Sequence, residues 1–140
     1  AYAEYAVVIC AITSKLGDDV DPAVGTLAEV GMTSAEALQK TGAPWDSTKN
    51  LTVVITSGSG GTGFVAIQLA KSYGAGKVIT ATSGASNTAF VKSLGADIVV
   101  DYKVSDIFEP LANNSVDVVY DNYGAKGTAD RAMAKLKPGG

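Results

Sequence analysis

The chain has 140 residues, 46% of them hydrophobic and 18% charged, which is the composition of one folded domain with a core and excludes a disordered segment. Lys and Arg number 11 against 14 Asp and Glu, a net charge of −3, so the basic patch of a nucleic-acid binder is not present in the sequence. There is no histidine and one cysteine, Cys10, which excludes an internal disulfide, leaves no ligand set for zinc and removes the commonest general base.

Residues 2–13 read as a strand-like stretch, with Cys10 as a core residue in its apolar run. Residues 17–22 form an acidic turn in which Asp18, Asp19 and Asp21 lack the ligand spacing of a calcium loop. A helix is predicted over 33–40, with Thr33 as N-cap and Glu36 three residues on as a capping box. A polar loop, 41–50, carries Gly42, Pro44 and Trp45, the last in a local packing role. From residue 51 onward, β-branched runs alternate with helical periodicity. The predicted strands are 51–56, 77–82, 97–101 and 116–121. Between them, 64–73 is apolar nearly all round, and Phe90, Val91 and Leu94 mark a second helix. Val104, Ile107, Phe108 and Leu111 mark a third, and Ala129, Ala132, Met133 and Leu136 a fourth. This alternation predicts an α/β domain of right-handed βαβ units on a parallel sheet. Lys137-Pro138-Gly139-Gly140 is a turn signal after which a fifth strand is expected, so the sequence reads as part of a longer protein. No secretory signal is visible and the apolar runs are too short to span a membrane. The chain starts with alanine and not methionine, which leaves an earlier leader open, while the single cysteine fits a reducing, cytoplasmic setting.

Gly58-Ser59-Gly60-Gly61-Thr62-Gly63 matches the spacing G-x-G-x-x-G between the first predicted strand and the helix after it. In that context the first glycine permits a tight turn, the next lets backbone approach a pyrophosphate, and the third lets helix and strand pack closely. The phosphates then meet free N–H groups at the positive end of a helix. The plainer alternative is a glycine-rich turn with no ligand. No acidic residue occurs between Gly63 and Asp97, where an NAD site places a carboxylate for the ribose hydroxyls. The second strand instead leads into Ser83, Gly84, Ala85, Ser86 and Asn87, a small polar loop that tolerates a 2′-phosphate and favours NADP.

The segments SGSGGTGFVAIQLAK (57–71), KSLGAD (92–97), VVDY (99–102) and VVYD (118–121) resemble the zinc-independent branch of the medium-chain dehydrogenase/reductase superfamily, that of quinone oxidoreductases, zeta-crystallins and alkenal or enone reductases. AYAEY (1–5) and VGMTSAEAL (30–38) resemble the closing strand region of that family's catalytic domain and the helix leading into its cofactor domain. The resemblance implies a Rossmann-type doubly wound parallel sheet of order 3-2-1-4 over 24–140, truncated before its fifth strand. It further implies that 1–23 is the remnant of a GroES-like β catalytic domain.

By the same resemblance, Thr33 lies near the nicotinamide, and Ser59, Gly60, Gly61 and Thr62 wrap the pyrophosphate between Gly58 and Gly63. Ser83, Ser86 and Asn87 border the 2′-phosphate, which the Tyr102 hydroxyl also reaches, and Asp121 and Asn122 line the cofactor cleft. Relatives often carry a lysine or arginine where this chain has Ser86; Lys103 is the cation nearest in sequence to Tyr102. The implied activity is zinc-independent, NADPH-dependent hydride transfer to a quinone or an α,β-unsaturated carbonyl, with no catalytic acid assignable in this chain. A homodimer is common in that family. Two other readings stay open: a non-catalytic NADPH-binding or sensing module, and a nucleotide-dependent methyltransferase, which usually wants an acidic residue after the second strand.

Overall fold

A computed structural model describes residues 4–140. Four strands, β1 (Thr52–Ile55), β2 (Lys77–Thr82), β3 (Ile98–Asp101) and β4 (Val118–Tyr120), make one parallel sheet of order β3-β2-β1-β4. The helices are α1 (Leu27–Gln39), α2 (Gly63–Ser72), α3 (Ala85–Ser93) and α4 (Thr128–Met133). The sheet order agrees with the expected one, and each predicted strand lies within two residues of an observed one.

Alternation along β1 separates two cores, because successive strand side chains point to opposite faces. Val53 and Ile55 join Leu38, Ile67, Val78 and Val91 on the face covered by the first three helices. Val54 turns the other way, to Ile79, Phe108, Val116 and Ala132. Burying each such side chain contributes about 1.5–3 kcal/mol. Phe64 of α2 and Phe90 of α3 bring their rings to 6.3 Å and tie the two helices together. Trp45 packs partly buried against the first core, as its predicted local role requires.

Four expectations fail locally. The strand-like stretch forms no strand over residues 4–13, while 1–3 lie outside the described residues. A strand needs partners for its backbone N–H and C=O groups. Here Tyr5 and Val7 are fully exposed instead, with a short 3₁₀ turn at Cys10–Ile12. Cys10 is accordingly exposed and not a core residue.

The capping box does not form either, because α1 starts six residues before Thr33, which falls inside the helix and is exposed. The true start signal is Asp21-Pro22, read above as part of an acidic turn: the Asp21 carboxylate accepts the Ala23 N–H at 2.8 Å and opens the 3₁₀ turn Pro22–Thr26. Glu36 pairs with Lys40 at 2.9 Å, and this hydrogen-bonded cation holds its carboxyl below the usual value.

No helix forms over 104–111, although Ile107 and Phe108 are buried as the pattern requires. Asp101 and Asp106 accept the N–H groups of Lys103 and Phe108, both at 2.9 Å, which offers the backbone turns in place of a helix. Pro110 then ends the run. Finally, α4 ends at Met133, which is exposed, and Leu136 lies beyond it, bridged in parallel to Val116.

Candidate functional site

The turn from β1 into α2 lies at the carboxyl end of the sheet and extends the ladder on both sides. Thr56 N–H donates to Tyr120 and Gly58 N–H to Ala81, at 3.2 and 3.0 Å. Two of its glycines are fixed by contact. A Cβ on Gly58 would lie 2.3 Å from the Thr80 hydroxyl, and one on Gly63 1.7 Å from the Ser57 carbonyl oxygen. A Cβ on Gly61 would meet only Val30, at 3.7 Å. The N–H groups of Ser59, Gly61 and Thr62, ahead of the ten-residue helix α2, donate to no protein acceptor among the described residues. Unpaired donors at a helix N-terminus, beside two glycines that add no side chain of their own, suit an anion such as a pyrophosphate.

The turn is held from three directions. Asn122, just past β4, accepts the Ser57 N–H at 2.9 Å and donates to the Ser57 carbonyl at 3.0 Å and the Thr62 hydroxyl at 3.2 Å. Ser34 of α1 donates to the Thr62 carbonyl at 2.9 Å. On the β2 side, the Ser59 and Thr82 hydroxyls share a 2.7 Å bond, while buried Thr80 donates to the Ile55 carbonyl at 2.7 Å. Asp121 is committed locally, because its carboxylate accepts from the Thr56 hydroxyl at 2.8 Å and the Gly124 N–H at 2.9 Å.

A cleft of about 450 Å³ opens beside this turn, and Ser59, Gly60, Thr82, Tyr102 and Tyr123 are among its walls. Of the predicted residues, Ser59, Gly60 and Tyr102 therefore share one space. Asp121 and Asn122 do not line it, but lie behind Thr56 and Ser57 and hold them. Ser83, Ser86 and Asn87 follow β2 through the first turn of α3, where Gly84 at φ +86° makes the corner; the Asn87 amide donates to the Ser83 carbonyl at 3.0 Å. Thr33 does not line the cleft; its neighbours Val30 and Ser34 are the α1 residues that touch the turn.

Ser34, Thr80, Thr82 and Tyr123 had not been singled out in the sequence. The first three are hydroxyls at positions that pattern assigns to packing, so nothing local marks them. Tyr123 could have been found, as the residue that follows the Asp121-Asn122 pair at the end of a strand.

The chain matches the family model described as zinc-binding dehydrogenase over residues 61–140. It is 43% identical over 107 residues to the chloroplast envelope quinone oxidoreductase homolog of Arabidopsis thaliana, an alignment covering 74% of this chain and 32% of the relative. A second Arabidopsis thaliana relative, NADPH-dependent alkenal/one oxidoreductase, chloroplastic, is 43% identical over 89 residues, with 63% of this chain and 22% of the relative covered. A mycobacterial protein solved in complex with NADPH superposes with a TM-score of 0.69 at 31% identity, covering 91% of this chain and 40% of that one. The chain thus spans a third or less of the length of these curated relatives.

Proposed function

Because the chain belongs to the zinc-binding dehydrogenase family, as its cofactor-binding portion, we propose that it holds NADPH for an oxidoreductase that reduces a quinone or an α,β-unsaturated carbonyl. The observation that carries this reading is the glycine turn of residues 58–63, which leaves the N–H groups of Ser59, Gly61 and Thr62 unpaired beside a cleft at the carboxyl ends of parallel strands.

NADPH, when bound, supplies a hydride from its nicotinamide ring. The chain's own part is to bind and orient. Ser59, Gly60, Gly61 and Thr62 wrap the pyrophosphate, with the N–H groups of Ser59, Gly61 and Thr62 donating to it; Gly58 and Gly63 shape the turn, and Asn122 and Asp121 hold it from behind. Ser83, Ser86, Asn87 and the Tyr102 hydroxyl take the 2′-phosphate, and Thr33 lies toward the nicotinamide end. The absence of a carboxylate after β2 favours NADPH over NADH.

We also propose that the oxidoreductase works without zinc; in support, this chain has no histidine and a single cysteine to offer as ligands. We further propose that 24–140 is the cofactor domain and 1–23 an edge of a catalytic domain, that the full-length protein forms a homodimer, and that it works in a reducing compartment such as the cytoplasm. Among the described residues no helix is long and apolar enough to cross a membrane.

Calorimetric titration with NADPH and with NADH tests the proposal. Tight binding of NADPH and much weaker binding of NADH is expected. Equal binding removes the NADP preference, and no binding by the folded chain removes the cofactor role.

A further inference from the structure

One serine of α1 stands where the packing pattern calls for an apolar side chain. Val30, Ser34 and Leu38 recur at the spacing of one helix face, and that face meets α2. Val30 is the residue that a Cβ on Gly61 would touch, and Leu38 joins the first core with Ala66 and Ile67. Ser34 between them is 0% exposed. Its hydroxyl carries one proton and faces two acceptors, the Val30 carbonyl at 2.8 Å and the Thr62 carbonyl at 2.9 Å. Neither acceptor depends on it. The Val30 carbonyl lies within the helical ladder of α1, and the Thr62 carbonyl accepts the Ala66 N–H at 2.9 Å. The hydroxyl is therefore not required to satisfy buried backbone, and alanine at this position would favour the helix more.

Thr62 is the residue through which this bond acts. Its hydroxyl accepts from the Asn122 amide at 3.2 Å on the β4 side, and its carbonyl accepts from Ser34 on the α1 side. Its N–H has no protein acceptor among the described residues. With side chain and carbonyl both anchored, the Thr62 backbone is held at φ −83° and ψ −29°, and the direction of its N–H is held with it. Resting on the NADPH reading above, we propose that Ser34 is a positioning residue for the pyrophosphate: its hydroxyl, through the Thr62 carbonyl, keeps the Thr62 N–H aimed at the ligand. A donor already fixed in direction gives up less freedom on binding, so more of its hydrogen bond appears as affinity. Ser34 does this from behind the turn, since it does not line the cleft.

The test is calorimetric titration of the chain and of Ser34→Ala with NADPH and with adenosine 2′-phosphate, which carries no pyrophosphate. Ser34→Ala is expected to fold, because both carbonyls keep a helical N–H and alanine suits the helix. Its affinity for NADPH is expected to fall about three- to tenfold, the range for one hydrogen bond, while that for adenosine 2′-phosphate stays within about twofold. Ser34→Thr returns a hydroxyl and is expected to recover the NADPH affinity to within about twofold of the unmodified chain. Unaltered NADPH affinity in Ser34→Ala would overturn the proposal and leave the NADPH reading standing. So would equal weakening of both ligands, which would make Ser34 a support of the whole domain and not of the pyrophosphate donors. A folded Ser34→Thr that binds NADPH as weakly as Ser34→Ala would overturn it as well. Failure of the folded, unmodified chain to bind NADPH would remove the cofactor reading itself, and this one with it.

Discussion

The side-chain amide of Asn122 closes a two-way bond on the backbone of Ser57, accepting its N–H at 2.9 Å and donating to its carbonyl at 3.0 Å. Asn122, two residues past the end of β4, thereby fixes the residue before the glycine turn, 65 positions away in sequence. Asn122→Ala strips two part-buried backbone groups of their partner, a loss of about 2 kcal/mol in stability. Urea unfolding reads this directly. Because the same turn carries the proposed pyrophosphate donors, NADPH affinity is expected to fall by about tenfold in the folded variant. An unchanged urea midpoint would mean that the turn holds its shape without Asn122.

The glycines of the turn separate into two kinds. Gly63→Ala places a methyl group 1.7 Å from the Ser57 carbonyl oxygen, where backbone and not a flexible side chain must yield. A loss of more than about 3 kcal/mol is expected. Gly61→Ala meets only Val30 at 3.7 Å and is expected to change stability by less than about 1 kcal/mol. Under the proposed function, Gly61→Ala still weakens NADPH binding, because its methyl group enters the space reserved for phosphate. Melting curves and titrations of the two variants separate the structural glycine from the ligand-facing one.

This division shows where legibility stopped. The spacing of Gly58, Gly60 and Gly63 announced the turn and the β-branched runs announced four strands, because apolar runs and glycine tolerance are local properties, whereas the strand order came from the family resemblance. Asn122 is expected along the cleft, but the bonds by which it holds the Ser57 backbone are not visible in the sequence. Those bonds depend on a parallel pairing of β1 with β4, which brings residues 57 and 122 together. Thr33 misled for the opposite reason: its spacing to Glu36 fits a capping box, yet Asp21 and Pro22 had already started the chain toward a helix. Residues 104–111 bury Ile107 and Phe108 as the pattern requires but leave Val104 exposed, and they form no helix. The side chains of Asp101 and Asp106 outcompete helical hydrogen bonding there, and periodicity does not register that competition.

That irregular segment is nevertheless part of the core. Phe108 is 1% exposed and packs under the sheet with Val54, Ile79 and Val116. Phe108→Ala is expected to cost about 3–5 kcal/mol, the range for a buried aromatic within a packed core. A loss below about 1 kcal/mol in urea unfolding would show that 104–111 contributes nothing to the cooperative unit.

Acid stability should carry the signature of Asp97. Its partial burial raises the carboxyl pKa, but the Lys71 ammonium at 2.7 Å, the Val78 N–H at 2.7 Å and the nearby Lys77 charge outweigh that, and the net shift is downward from 3.8. A carboxyl whose folded pKa is depressed contributes stability that is present above 3.8 and is lost as pH falls through the lower folded value. Because Asp97 is partly exposed, solvent screens the contribution and keeps it small. Asp97→Asn is expected to lower stability at neutral pH and to flatten its decline below about pH 4, as measured by urea midpoints across the acid range. An unaltered acid slope would remove Asp97 from the account.

Tyr102 distinguishes the two nucleotides if its hydroxyl reaches the 2′-phosphate. Tyr102→Phe keeps the ring that lines the cleft and removes only an oxygen at a largely exposed position, so stability should hardly change. A hydrogen bond to a charged group is worth about 1.5–3 kcal/mol, which predicts roughly tenfold or greater weakening of NADPH binding. NADH lacks the phosphate, and its affinity should be unaltered. Equal weakening of both nucleotides would mean that the hydroxyl serves the adenosine itself, and that the preference for NADPH arises in the Ser83, Ser86 and Asn87 loop alone.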